Sequence, residues 1–475
     1  MAGNQPGVAR PRVPPDLMNS PENNPEESAP TRTESLEKWL RERNCTEVEC
    51  IIPDFSGIAR GKIMPASKFW KEERLRLPEG VFVQTVTGEY PEDDVTDPTE
   101  PDMLLRPDVS TIRLVPWAVE PTAQVIHDCF YNDGRPVDLA PRTVLRRILD
   151  LYARRGWKPI VAPELEFFLV EKNIDPDLPL KPPIGRSGRP ETGRQAYGID
   201  AVNEFDPLFE DIYDYCEVQE LDIDTLIHES GAAQMEINFL HGDPMELADQ
   251  TFLFKRTCRE AAYRHGIYAT FMAKPQKDEP GSAMHIHQSV HDTVTGNNIF
   301  ATPDGKLTDL FLAHIAGLQK YLPAAMSFFA PNVNSYRRLA SGNFAPMNVQ
   351  WGYDNRTVGL RVPVADPQAT RVENRVAGAD VNPYLAIAMS LACGYLGMIE
   401  GLRPTSPLSD SGYNLGYQLP RNLEDALKLL EASAPLKEII GERFAKCYAA
   451  VKQKEYATFF HVISSWEREF LLLNV

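Results

Sequence analysis

Two glutamates two residues apart in an otherwise apolar run, Ala162-Pro-Glu-Leu-Glu-Phe-Phe-Leu-Val170, have the type and spacing to do chemistry. Side chains alternate across a strand, so Glu164 and Glu166 share a face while Leu165 and Phe167 take the other. Neighbouring carboxylates repel and resist burial, and either a cation between them or open water relieves both problems. The pattern returns in Gln234-Met-Glu-Ile-Asn-Phe239, where Gln234, Glu236 and Asn238 oppose Met235, Ile237 and Phe239. In Met284-His-Ile-His-Gln288 the two histidines, His285 and His287, fall on one face, and in Arg371-Val-Glu-Asn-Arg375 so do Arg371, Glu373 and Arg375. Glu229 stands before Glu236 across a small-residue turn, Ser-Gly-Ala-Ala.

Any one of these segments also describes a solvent-facing edge strand, but their recurrence with apolar residues opposite favours one shared polar cavity. Converged, Glu164, Glu166, Glu229, Glu236 and Glu373 with His285 form a donor set for two hard divalent ions, Mg²⁺ or Mn²⁺. Without a cysteine the set does not suit structural zinc. Arg337, Arg338, Arg356, Arg361, Arg371 and Arg375 lie in segments rich in Gly, Pro and Asn. Each alone reads as a surface ion-pair partner; together with metals around one cavity they describe phosphoryl transfer. No G-x-x-x-x-G-K-[ST] occurs, so a P-loop is unsupported.

The elements that must position these residues follow from patterning. Strands are expected at 48–52, 111–115, 123–130, 160–170, 234–239 and 283–290, and helices at 245–265, 307–329, 382–400 and 422–453, with a further helix capped by 138–142, Pro141 in its first turn, and running to about 156. Thr33 is the expected cap of a first helix, and 54–62 a tight turn between paired strands. The reading is α+β, with a Pro-rich disordered tail at 1–32, a small sheet domain at 33–137 and a large mixed domain at 138–475.

Across 475 residues, 49 Lys+Arg against 67 Asp+Glu give a net charge of −18, which argues against a nucleic-acid partner. The balance favours approach of cationic small molecules. Seven cysteines, an odd number without C-x-x-C, suggest reduced thiols and a cytoplasmic location. The uncharged run Val381 to Ile399 approaches a membrane span in length but reads as a buried core helix, so no membrane partner is expected.

The motifs P-E-L-E-F (163–167), H-E-S-G-A-A-Q-M-E (228–236), K-P-Q-K-D-E-P-G-S-A-M-H-I-H (274–287), N-S-Y-R-R-L (334–339), N-R-T-V-G-L-R (355–361) and R-V-E-N-R with N-P-Y-L (371–385) resemble the glutamine synthetase superfamily over about 45–475. The runs F-M-A-K-P, A-P-N-V-N-S-Y-R-R and R-V-A-G-A-D are most similar to γ-glutamylpolyamine (γ-glutamylputrescine) synthetases within it. The resemblance implies an N-terminal β-grasp domain, a catalytic domain with an open antiparallel barrel, and a homo-oligomeric double ring, often a dodecamer, with interfacial active sites. It implies one metal on Glu166, Glu229 and Glu236 and another on Glu164, His285 and Glu373. Arg338, Arg375 and the Gly281 backbone would hold glutamate. Arg356, Arg361 and Arg371 would contact ATP and the moving phosphoryl group, with His287 and Ser289 near the nucleotide. The implied reaction joins the γ-carboxylate of L-glutamate to an amine through γ-glutamyl phosphate.

Ammonia-using members carry a flap glutamate where this chain has Phe344, in Ser341-Gly-Asn-Phe-Ala-Pro346. A phenyl ring cannot take a proton, though its face can hold a cation or an alkyl chain. The expected nucleophile is therefore putrescine or another polyamine, with Glu89, Glu92 or Asp93 of an acidic loop attracting a distal ammonium and Asp54 a candidate base. Rival readings are an ammonia-using glutamine synthetase, a ligase for a mono-amine such as ethanolamine or methylamine, and a catalytically silent ring-forming regulator.

Overall fold

The computed structural model describes residues 32–475 apart from 70, 72–74, 92–94, 96–98, 341–344 and 417. The tail expected at 1–32, save its last residue, together with Glu92, Asp93 and Phe344, lies outside the described residues. A first helix, Arg32–Glu42, starts one residue before the Thr33 expected to cap it, a shift within the ordinary uncertainty of a helix end.

A six-stranded sheet follows, built from residues 47 to 130. Glu47–Pro53 and Ala59–Pro65 pair antiparallel across the expected turn, where Asp54 accepts from the amides of Ser56 and Ile58, both at 2.9 Å. Glu47–Pro53 runs parallel to Thr122–Phe130, and Asp102–Pro107 and Arg76–Pro78 extend the sheet beyond it. The strand expected at 111–115 is shorter: a single turn, Val109–Thr111, capped by Asp108, precedes the two-residue strand Arg113–Leu114.

The second sheet has eight strands, almost wholly antiparallel, and curls into a nearly closed barrel. Its axis is the 15-residue strand Trp157–Glu171, flanked by Met284–Asp292 on one side and Gln234–Phe239 on the other. Apolar side chains from Leu165, Phe167, Met235, Ile237, Met284 and Ile286 are buried on one face, so the acids and histidines between them are turned to the other.

Helices cover the apolar face. Pro244–Arg264 and Pro383–Glu400 come within two residues of expectation. The second is apolar and long enough to cross a membrane, yet 89% of it is buried within the protein, as a core helix would be. The helix expected at 307–329 breaks into Asp309–Tyr321 and Met326–Phe329, because Pro323 has no amide to continue the ladder. The one expected at 422–453 is three, Leu423–Ala432, Ala434–Ile440 and Glu442–Phe460: Pro435 opens the second and Gly441, at φ 103°, separates it from the third. Arg142 ties the first sheet to the helices, donating to Asp128 on Thr122–Phe130, to Asp108 just after Asp102–Pro107 and to Asp249 on Pro244–Arg264.

Lys255, on that helix, is buried and donates from Nζ to the carbonyls of Ala379 (2.6 Å) and Val381 (2.8 Å), fixing the chain just after Arg375. Burial, aided by Arg259, pushes its ammonium down from 10.5 to about 7. Between those values the unfolded chain holds a proton that the folded chain lacks, so stability rises with pH. The unfolding free energy of the wild type relative to Lys255→Met should climb by about 1 kcal/mol per pH unit over this window in urea titrations. A flat difference would refute the buried-ammonium reading.

Candidate active site

Register brings the acids together. Glu166 pairs with Glu236 across one ladder, Glu164 with His285 across the next, and His287 with Glu373 across a third. Directly opposed residues share a face. Ligand atoms of Glu164, His285 and Glu373 therefore lie within 4.8 Å of one another, and so do those of Glu166, Glu236 and His285. The first trio is the one the motifs imply. In the second, His285 stands at ligand distance where Glu229 was expected.

Glu229 is nevertheless close. It sits on the turn after Ile223–His228, and its charge helps to raise both Glu166 and Glu236. Burial and this repulsion push Glu166 up to about 8 despite Arg338 and Arg375, and lift Glu236 well above the carboxylate range. Burial raises Glu229 as well. The other end of the cluster is already compensated. Burial opposes ionisation of Glu164, yet bonds from His285 and His287 hold it well below its ordinary value. Burial likewise opposes ionisation of Glu373, while Arg375 and His285 bring it down to about 2. Burial and Arg375 depress His285 to about 4, leaving a neutral ring with one nitrogen lone pair to offer. Oxygen-rich donors with one imidazole, and crowded acids on the Glu166 side that a cation would relieve, fit Mg²⁺ or Mn²⁺.

The arginines divide by what they touch. Arg361 donates to Glu373 at 2.9 Å and to Asp354 at 3.1 Å, and Arg375 also bonds Glu373. Arg371 donates from Nε to His287 Nδ1 at 3.0 Å. Because arginine only donates, that nitrogen carries a lone pair, and the proton sits on Nε2, which donates to Glu164 at 2.8 Å. Arg338 is buried and turned inward, donating to the carbonyls of Val376 (2.7 Å) and Arg375 (3.0 Å). Arg356 is exposed, near enough to Glu229 to act on its charge. At Gly281 a Cβ would lie 2.5 Å from Arg338 Cγ and 2.6 Å from the Ala273 carbonyl, so only glycine fits.

A cavity of about 620 Å³ opens beside Glu164, lined among others by Asn238, His287, Ser289, Asp366 and Arg371. Ser289 is buried there, its hydroxyl 3.3 Å from His291 Nε2. Glu89 is engaged elsewhere, accepting from Thr87 (3.2 Å) and Thr458 (3.0 Å). Asp54 is fully buried, with one oxygen on its own turn and the other on Arg60 at 2.8 Å. Sequence reading passed over the role of Gln234: its amide donates to Glu166 (3.3 Å) and to the Gly281 carbonyl (3.0 Å), joining a ligand to the glycine loop. Its place on the polar face beside Glu236 was the available signal.

Residues 138–471 match the glutamine synthetase catalytic-domain family. The chain belongs to the glutamine synthetase family. It is 36% identical over 93% of its length, and 95% of the relative's, to a γ-glutamylputrescine synthetase of Escherichia coli (strain K12). To a glutamate–isopropylamine ligase of a Pseudomonas species it is 32% identical over 90% of the chain and 95% of the relative. A solved structure described as a GmaS/ADP complex superposes with a TM-score of 0.79 at 28% identity, covering 92% of this chain and 99% of that one. Membership makes this family member an ATP-dependent C–N ligase.

The two candidate donor groups imply two separable losses. In manganese titrations followed by the electron paramagnetic resonance of free Mn²⁺, Glu236→Gln should weaken one class of site and Glu373→Gln the other. Each loss should exceed the about 10–100-fold that outer-shell substitutions cost. Equal weakening of one single class by both variants would contradict two sites.

Proposed function

We propose that this protein joins the γ-carboxylate of L-glutamate to a cationic amine, putrescine or another polyamine, at the expense of ATP. The observation that carries it is the convergence of Glu164, Glu166, Glu236, His285 and Glu373, with Arg361 and Arg375 bonded to Glu373. Relatives named for putrescine and isopropylamine, and a structural relative solved with ADP, support an alkylamine and a nucleotide.

In this reading the adenine nucleotide takes the cavity beside Glu164, against His287, Ser289 and Arg371. Two Mg²⁺ or Mn²⁺ ions, one on Glu164, His285 and Glu373 and one on Glu166 and Glu236 with Glu229, would supply positive charge against phosphate oxygens. Arg356, Arg361 and Arg375 face the transferred group, and guanidinium donors match its oxygens two at a time. The γ-carboxylate of glutamate attacks the terminal phosphorus and ADP leaves. The reacting nitrogen of the amine, once its ammonium proton has passed to solvent, attacks the acyl carbon of γ-glutamyl phosphate; phosphate leaves and takes up the second proton that the nitrogen gives up, forming the amide. Gly281, packed against Arg338 and the Ala273 carbonyl, would lend its backbone to glutamate, and Arg338 serves that side through the carbonyls with which it fixes Arg375. The protein itself forms no covalent bond; it orients reactants and neutralises charge.

The domain division at 137/138 and the β-grasp reading of the first part belong to the same proposal. A parallel pairing between Glu47–Pro53 and Thr122–Phe130 at the middle of the first sheet supports them. Seven free cysteines support a reducing, cytoplasmic setting. Assembly into a homo-oligomeric ring is supported by the C-terminal segment. Phe460, Ile463, Trp466, Leu472 and Leu473 are 60–91% exposed around the helix Ser465–Leu471, an apolar surface that a single copy leaves in water. Within one protomer the exposed Glu89 lies apart from the acidic cluster in all its described contacts, as a residue that completes a site on another copy would.

Mass spectrometry of the product from ATP, glutamate and a mixed pool of ammonium, methylamine, ethanolamine, putrescine and spermidine tests the activity. A γ-glutamyl diamine should dominate, and Phe344→Glu should shift product toward glutamine. Glutamine alone from the wild type would return the protein to ammonia chemistry. Deleting residues 462–475 should convert a large particle into smaller species in sedimentation velocity; an unchanged particle would refute the C-terminal interface.

A further inference from the structure

Glu229 stands on a turn, where no strand ladder fixes its side chain. The hairpin closes beneath it through the Glu229 amide on the Gln234 carbonyl at 2.8 Å, and Ala233 adopts a φ of 55° to complete the bend. Two amides of this turn are taken by carboxylates from distant loops. Ala232 N donates to Glu279 at 3.2 Å, and Ala233 N to Glu191 Oε2 at 2.8 Å.

Glu191 has a second hold. The same oxygen lies 3.0 Å from His228 Nε2, and the other nitrogen of that ring, Nδ1, lies 2.7 Å from the Glu229 carbonyl. The His228 side chain is 0% exposed and that of Glu191 11%. Each ring nitrogen thus faces an oxygen, one on the distant loop and one on the turn itself. A third contact comes from the same loop, where Tyr197 N donates to the His228 carbonyl at 2.8 Å. The other Glu191 oxygen is buried with no hydrogen-bond partner among the described residues, so no competing contact pulls the carboxylate away from the turn.

We propose that Glu191 is a positioning residue: through His228 and the Ala233 amide it sets where Glu229 stands against Glu166 and Glu236, and hence how tightly that side of the cluster holds a divalent cation. This rests on the ligase reading only for its kinetic consequence. Outer-shell partners that fix a ligand's orientation commonly govern metal affinity in this way. Within the turn the Ser230 amide donates to Glu229 Oε2 at 3.3 Å, while Gly231, Ala232 and Ala233 have no side chain that reaches past Cβ, so the further hold on the turn comes from Glu191.

Full-length Glu191→Ala and Glu191→Gln, titrated with Mn²⁺ alone, give the test. In Glu191→Ala the class of site lost in Glu236→Gln should weaken by about tenfold or more, while the class lost in Glu373→Gln stays as in the wild type. Glu191→Gln keeps an acceptor for the Ala233 amide and should fall between. In turnover, kcat should drop with KM for glutamate held. Asp211→Asn, which breaks the exposed His265–Asp211 pair (2.8 Å), should change none of these. Unaltered Mn²⁺ binding in both Glu191 variants, or equal weakening of both classes with a lowered Tm, would overturn the proposal. Should Glu191→Ala not fold, the Glu191→Gln titration decides by the same criteria. Absence of turnover on any amine would overturn the ligase reading and leave the Mn²⁺ result to judge Glu191.

Discussion

Carboxylates gathered on one buried face must have their charge answered, and everything around this site is arranged by that requirement. A group of like charges in a medium poorer than water is held only by opposite charge, hydrogen bonds or protons. Here the answers are divided unevenly. Glu164 and Glu373 are met by His285, His287, Arg361 and Arg375 and stay ionised. Glu166, Glu229 and Glu236 are pushed toward protonation, which makes their side the stronger claimant for a cation.

The scaffold behind this asymmetry is polar and interlocked. Arg371 fixes the tautomer of His287, which in turn orients Glu164. Gln234 bridges Glu166 to the Gly281 loop, and Arg338 and Lys255 hold the backbone on either side of the segment that follows Glu373. Several arginines and a lysine thus act on backbone carbonyls or on other side chains. A preorganised site of this kind gains its effect because little has to move as charge develops.

The long stretch between Glu171 and Ile199, without a helix and with no strand longer than the bridge Ile184–Pro190, takes part in that scaffold through Glu191 and Tyr197. Loops on a rigid sheet are where relatives of one fold differ most easily. Through Glu191 and Tyr197 this stretch holds the turn that carries Glu229 without any change in the barrel strands.

The donor chemistry and the sharing of faces were legible in the residues, because alternation along a strand is a local property with a period of two. So were the family motifs and the apolar runs that became the core strands and the helix Pro383–Glu400. Helix breaks at Pro323 and Gly441 were misjudged where apolar periodicity ran on through a residue that stops the ladder. Tertiary structure alone decided that His285 reaches both groups of acids, that Glu229 is steered from its turn, that Arg338 donates to the carbonyls of Val376 and Arg375, and that Glu191 stands behind the site. Those facts depend on register between strands and on contacts between residues far apart in the chain, which no local spacing encodes.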